Sequence, residues 1–296
     1  MHEPHKFGGS WTQDKLERLR KYLDAYMKIF SANPRAKYLD TMYIDAFAGT
    51  GFLQRGDDED GLESLFMLSN DEDAQSFLKG SAQIALETKP PFSKYIFIER
   101  NERHAEELNL LKNEFSDLEN KIQIIKDNAN KYLPKLCTDT NWNNRRAVVF
   151  LDPYGMQVKW STIQALAETQ AVDLWILFPL GLAVNRLLKR NTVPKGAWAE
   201  RLTDIFGTDS WINEFYEKSQ QTGLFEGEMG FIKTTNFDGI SRYFVKRLKT
   251  IFEKVAENPL PLVNSRNNPL YLLCFAASNP KGAPTAVKIA QNILGK

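Results

Sequence analysis

The chain has 296 residues, 43% of them hydrophobic and 25% charged, and its 38 basic and 37 acidic side chains leave a formal net charge of +1. That length suffices for one large α/β domain with a substantial core, and the near-neutral balance excludes a global electrostatic commitment to nucleic acid or membrane, so any basic surface is local. Two cysteines, Cys137 and Cys274, and three histidines, two of them in the first five residues, offer no metal cage; no apolar run reaches the roughly 18 residues of a membrane span and the N-terminus lacks a secretory core, so the expectation is a cytoplasmic protein without metal.

Leu16, Leu19, Tyr22, Leu23, Tyr26, Met27 and Phe30 recur at helical spacing with charges between them, which predicts an amphipathic helix over residues 11–30. Asn33-Pro34 ends it, and a first buried strand follows over about Tyr38 to Phe47. The run Tyr43-Ile-Asp-Ala-Phe-Ala-Gly-Thr-Gly51 then turns acidic, small and glycine-rich, as a strand does where it hands over to a ligand-holding turn. Gly49 and Gly51 let backbone approach a ligand, and Asp45 sets a carboxylate beside it for something cationic or hydroxyl-rich. The run lacks the G-x-G-x-x-G of a dinucleotide site. An ordinary strand-to-loop turn is the alternative.

Residues 57–78 hold eight acids and no base, which predicts a solvated insertion after the first strand. A helix over 80–87 ends before Pro90-Pro91, and Tyr95-Ile-Phe-Ile-Glu-Arg100 reads as a second strand closing on Glu99. An acid there can accept both hydroxyls of a ribose; the alternative is a surface ion pair with Arg100 or Arg103. A charged helix over Asn101 to Glu119 leads to a short third strand, Ile122 to Ile125, and Asp127 sits just past its end. In Ala147-Val-Val-Phe-Leu-Asp-Pro-Tyr-Gly155 a fourth strand ends in a rigid turn that projects the Asp152 carboxylate and the Tyr154 ring. Such a turn can hold a planar amine; a Pro-Tyr-Gly turn with a capping Asp is the alternative. A helix over Ser161 to Thr169 and a fifth strand over Val172 to Pro179 complete this half.

From Leu182 to about Leu262 the pattern is helical and basic. Arg186, Lys189, Arg190, Lys195 and Arg201 lie near Trp198, and Arg242, Lys246, Arg247, Lys249 and Lys254 lie near Tyr243 and Phe244. Basic groups interleaved with aromatics suit RNA or DNA, although helices also carry lysines that are merely solvated. Residues 270–277 form a sixth strand, and a last helix runs from about Pro284 to Leu294. The expected division is a core of 1–181 interrupted by an acidic loop at about 54–79, an insertion of 182–262, and a closing strand and helix in 263–296.

In an open parallel sheet the loops after successive strands share one edge, so Asp45, Gly49, Gly51, Glu99, Asp127 and Asp152 are expected to converge on one crevice. Through Tyr-Ile-Asp-Ala-Phe-Ala-Gly-Thr-Gly, Lys-Gly-Ser-Ala, Phe-Ile-Glu-Arg and Leu-Asp-Pro-Tyr-Gly the chain resembles the class I S-adenosylmethionine-dependent methyltransferases, and more narrowly the three-Cys-motif partner (TcmP) family. The resemblance implies an α/β, Rossmann-like class I methyltransferase fold, with a mostly parallel sheet, helices on both faces and a helical insertion before the last strands. It implies that Asp45, Ala46, Phe47, Ala48, Gly49 and Gly51 hold the methionine part of S-adenosylmethionine, Glu99 with Arg100 beside it the ribose, and Asp127 the adenine amine. Asp152, bordering the cofactor, and Tyr154 would stand beside the reacting atom. The turn is similar to the Asp-Pro-Pro-Tyr turn of adenine and cytosine amino-methyltransferases, though without its second proline, and to the Asp-Pro-Phe-Gly turn of tRNA guanine N2-methyltransferases. An exocyclic amine of a nucleobase is thus the expected acceptor. The other readings are a non-catalytic or conditionally active protein that binds a protein partner, and a small-molecule methyltransferase.

Overall fold

The computed structural model describes residues 10–46, 80–153, 155–222 and 229–295. Phe47, Ala48, Gly49, Gly51, the acidic stretch 57–78 and Tyr154 lie outside the described residues. The elements are α1 (Ser10–Ala32), β1 (Asp40–Ala46), α2 (residues 80–87), β2 (Lys94–Glu99), α3 (Glu102–Glu114), β3 (Ile122–Lys126), α4 (Ala129–Asp139), β4 (Arg145–Leu151), α5 (Trp160–Glu168) and β5 (Val172–Phe178). After them come α6 (Ala197–Phe206), α7 (Trp211–Phe215), β6 (Tyr216–Thr222), β7 (Met229–Lys233), α8 (Phe237–Leu248), β8 (Lys254–Val255), β9 (Leu260–Val263), β10 (Pro269–Ala277) and α9 (Ala283–Leu294).

The main sheet runs β3-β2-β1-β4-β5-β10-β8, with β9 also on β10. β1 to β5 are parallel and β10 is antiparallel to β5. Apolar side chains alternate between its two faces, as a strand buried on both sides requires. Ile44, Ile96, Val149 and Ile176 enter a layer with α4, α5 and the segment after β5. Tyr43, Tyr95, Phe97, Val148, Phe150 and Trp175 enter the other, with α1, α2, α3 and α9. On α1 the buried stripe Leu19, Tyr22, Leu23, Tyr26 and Met27 provides the docking energy, about 1.5–3 kcal/mol for each side chain of this size.

Two departures from the sequence pattern have visible causes. The helix expected over Asn101 to Glu119 stops at Glu114, where Phe115 leaves helical geometry (φ −107°, ψ 54°) to pack on the core, and a 3₁₀ turn, Ser116–Lys121, leads into β3. The segment after β5 is not purely helical, because β6 and β7 pair there as an antiparallel hairpin. It packs through an aromatic nest in which Phe178 of β5 stacks on Phe244 at 4.0 Å and Phe206 meets Phe215 and Tyr243 edge-on. Gly181, in the π-helical turn Leu180–Val184, admits no side chain, since a Cβ would lie 1.8 Å from the Pro269 carbonyl oxygen. No helix among the described residues is long and apolar enough to cross a membrane.

Candidate functional site

Strand parity places three acids on one side of the sheet. Asp45 follows Tyr43 by two residues on β1, Glu99 follows Phe97 on β2, and Asp152 follows Phe150 just beyond β4, so all three extend rows that face α1. β1 lies between its partners, Asp45 facing Phe97 on one side and Phe150 on the other, and neighbouring strands are about 4.8 Å apart. The Asp152 N–H reaches back to the Ala46 carbonyl at 3.3 Å, closing β4 against the end of β1. Gly155 then takes a left-handed φ of 71°, which keeps this turn tight without strain.

The structure adds a residue that sequence reasoning missed. Lys15, one turn before Leu19 on the buried face of α1, is only 2% exposed, and its ammonium lies 3.1 Å from each Asp152 carboxylate oxygen. Trp11 backs it, with the charge 5.1 Å from the ring centroid. Burial drives both partners toward their neutral forms, Lys15 down to about 8 and Asp152 upward, while their mutual attraction opposes the change. Asp45 belongs to the same charge cluster. Burial pushes it up to about 7; a Ser81 hydrogen bond opposes this, the Asp152 charge reinforces it, and the Tyr43 hydroxyl, donating to Oδ2 at 3.1 Å, opposes it again. A lysine in an apolar stripe was the available signal, because an unpartnered ammonium is not buried at such a position.

Glu99 is 4% exposed, and Oε1 accepts the Asn101 N–H at 2.5 Å. Its Oε2 has no hydrogen-bond partner among the described residues, and His104 Nδ1 stands 3.9 Å away. Burial raises Glu99 to about 7. The ion pair considered for it does not form: Arg100 is exposed and Arg103 pairs with Glu107. Asp127 stands apart from the other acids. One residue past β3, it continues the row of Ile125, which packs in the opposite layer, and its carboxylate accepts the Asn128 N–H at 2.7 Å. Asn130 was also missed. Its side-chain amide donates to the Gln157 carbonyl at 2.7 Å, and its oxygen accepts from the Lys159 N–H and the Thr162 hydroxyl. The start of α4 thereby holds the chain that leaves the Asp152 turn.

These residues suit an adenosyl cofactor on one specific count. A buried carboxylate oxygen without a donor among the described residues, at the end of β2, is what a ribose hydroxyl would satisfy. Strand order β3-β2-β1-β4-β5, then an antiparallel β10, with helices on both faces, makes this an α/β, Rossmann-like fold. Among solved structures, the Legionella pneumophila protein LPL1258, of the DUF519 family, is similar over 97% of this chain and 92% of its own, with 12% identity and a TM-score of 0.47. Magnesium protoporphyrin IX methyltransferase from Synechocystis PCC 6803, with bound SAH, is similar over 88% of this chain and 84% of its own, with 11% identity and a TM-score of 0.35. A conserved hypothetical protein of Streptococcus pyogenes is similar over 70% and 91%, with 16% identity and a TM-score of 0.30. At these scores the likenesses add no weight to any assignment of function. No family model matches the sequence, and no curated protein matches it.

Proposed function

We propose that the chain is an S-adenosylmethionine-dependent methyltransferase of the kind its TcmP resemblance implies, acting on an exocyclic amine of a nucleobase. The observation that carries this reading is the row of strand-end acids, Asp45, Glu99 and Asp152, on one face at the carboxyl edge of a parallel sheet. Glu99 would hold the ribose, and Asp45 would face the charged methionine end. When bound, the cofactor would supply a methyl group on a positively charged sulfur, whose transfer leaves a neutral thioether and an extra proton on the acceptor nitrogen.

Asp152 would hold the acceptor through an N–H to carboxylate hydrogen bond, fixing the direction of its lone pair and receiving the surplus proton. Lys15 assists by favouring the ionised carboxylate, since its charge and hydrogen bond oppose the desolvation that raises Asp152. Each carboxylate oxygen keeps a second lone pair, so the ion pair does not block the amine.

Calorimetric titration with S-adenosylmethionine and S-adenosylhomocysteine tests the cofactor before any acceptor is known. Micromolar binding by the native chain, retained in Asp152→Asn while methyl transfer to nucleic acid falls at least about 100-fold, is the expected result. Absence of binding ends the cofactor assignment. A second reading, a partner protein that keeps the fold without transfer, draws on the Lys15–Asp152 contact, which already engages the key carboxylate from within. Binding with no turnover on any RNA or DNA would favour it.

A further inference from the structure

The two basic groups of the segment after β5 have different fates in the fold. The later group is largely engaged within the protein. Arg247 lies over the Trp160 ring at 4.7 Å and donates to the Phe206 carbonyl at 2.8 Å, Lys246 pairs with Glu214 at 3.7 Å, and Lys249 pairs with Glu257. Tyr243 and Phe244, which the sequence presents as stacking aromatics, are buried in the nest around Phe178. These residues build the protein and offer little to a partner.

The earlier group is held open instead. Lys189, Arg190 and Lys195 are exposed, and no ion pair among the described residues involves them. Their backbone is nevertheless rigidly placed. The Tyr216 hydroxyl donates to the Lys189 carbonyl at 2.8 Å and the Lys233 N–H to the Arg190 carbonyl at 2.8 Å, so the β6–β7 hairpin clamps this stretch from behind. Lys233 itself donates through its ammonium to Asn185 Oδ1 at 2.6 Å, which adds a fourth cation at the base of the group. Trp198 packs against the core and fixes Lys189, whose charge stands 4.4 Å from the ring centroid. The segment begins where β5 ends, through the buried turn Leu180–Val184, and β5 neighbours the strand that ends at Asp152.

The geometry points to Lys189, Arg190, Lys195 and Lys233 as a preorganised ridge that binds the phosphodiester backbone of a nucleic acid and delivers it to the edge carrying Asp152. Preorganisation is the argument: surface lysines are ordinarily mobile, whereas three of these four are fixed by a ring, a backbone clamp or an amide, which lowers the entropy lost on binding. Cations fixed without acidic partners among the described residues match an anion that recurs at regular spacing. With Trp198 already covered by Lys189, the ridge contacts phosphates and leaves the bases unread. The proposal takes its biological sense from the methyltransferase reading, but its test does not need methyl transfer.

The test is fluorescence anisotropy of the full chain with labelled 20-nucleotide RNA and DNA, each single-stranded and duplex, between 50 and 300 mM salt. Four phosphate contacts predict a slope of log K against log salt of roughly −3 to −4. Lys189→Glu with Arg190→Glu should weaken binding at least about tenfold and remove about two units of slope, while Lys246→Glu with Lys249→Glu changes affinity less than about twofold, as expected for exposed charges outside the contact. Should the Lys189 change loosen Trp198, Arg190→Glu with Lys195→Glu addresses the same ridge without it. Tighter binding of RNA or of DNA supports the proposal and names the polymer. The proposal is overturned if neither polymer binds, if the control pair weakens binding as much as the ridge pair, or if polyglutamate of equal charge competes as well as the oligonucleotide, which would indicate an acidic protein. Cofactor titration of the same variants separates this failure from that of the methyltransferase reading, since ridge variants should bind S-adenosylmethionine like the native chain.

Discussion

Replacing Lys15 by methionine keeps the length of the side chain and removes its charge from a site where the ammonium touches both oxygens of Asp152. Two outcomes are open to the stranded carboxylate. It stays ionised, at the 3–5 kcal/mol typical when one partner of a buried pair is deleted, or it takes up a proton. Holding an aspartate protonated costs about 1.4 kcal/mol for each pH unit above its ordinary value near 3.9, so this cost is below about 1 kcal/mol at pH 4.5 and about 5 kcal/mol at pH 7.5. The sign follows directly. A carboxylate whose folded pKa lies above its unfolded value stabilises the fold below the unfolded value and loses that contribution as pH rises. Lys15→Met is therefore expected to lose 3–5 kcal/mol at pH 7.5 and about 1 kcal/mol or less at pH 4.5. Urea unfolding of native chain and variant at both pH values measures the difference, and Asp152→Asn in the same background should recover much of the loss at pH 7.5. A loss equal at the two pH values, or greater in acid, would refute the ion-pair account and leave Lys15 as packing alone.

Glu99→Gln should weaken S-adenosylhomocysteine binding about 10- to 100-fold, the worth of a hydrogen bond to a charged group, while the melting temperature holds or rises because a buried carboxylate oxygen without a donor among the described residues is removed; unchanged affinity would take Glu99 out of the site. Asp45 and Glu99 both sit at about 7 in the fold, above their unfolded values near 4, so their stabilising contribution is complete below about pH 4 and is lost as pH rises through 7. Thermal unfolding without ligand should accordingly show lower stability at pH 7.5 than at pH 5.5, and a steady rise over that interval would contradict the burial argument. S-adenosylmethionine, being cationic, should bind more tightly at pH 8 than at pH 6 and release protons, seen as a buffer-dependent heat; affinity independent of pH would separate the cofactor from Asp45. Phe244→Ala removes a ring stacked at 4.0 Å on Phe178 and should cost about 3–5 kcal/mol, read by chemical denaturation, with cofactor affinity retained.

The parallel half of the fold was legible because strands buried on both faces spell continuous apolar runs, such as Ala147 to Leu151 and Val172 to Phe178. The acids ending β1, β2 and β4 were legible from their positions alone, and the period-2 rule adds that they share a face. Lys15 was legible only in part, because its spacing puts a cation in the apolar stripe of α1 but nothing local names the partner 137 residues away. The β6–β7 hairpin escaped for another reason: Glu217-Lys-Ser-Gln-Gln-Thr222 has no apolar alternation to mark it. Nor does sequence show that Arg247 serves the interior while Lys189 faces solvent, since a cation's role depends on which acid, ring or carbonyl lies opposite it in space.

α1 also ties together parts of the chain that are far apart in sequence. Tyr22 packs against Trp175 of β5 and Phe275 of β10, its hydroxyl donates to Asp173 at 2.6 Å, and Arg18 reaches the Ile293 carbonyl on α9. The apolar stripe of α1 is thus covered from two distant parts of the chain, by Phe92 ahead of β2 on one side and by β5, β10 and α9 on the other. Lys15 adds a polar tie to this apolar cover, because its partner Asp152 lies just past β4 and the Asp45 charge on β1 belongs to the same cluster.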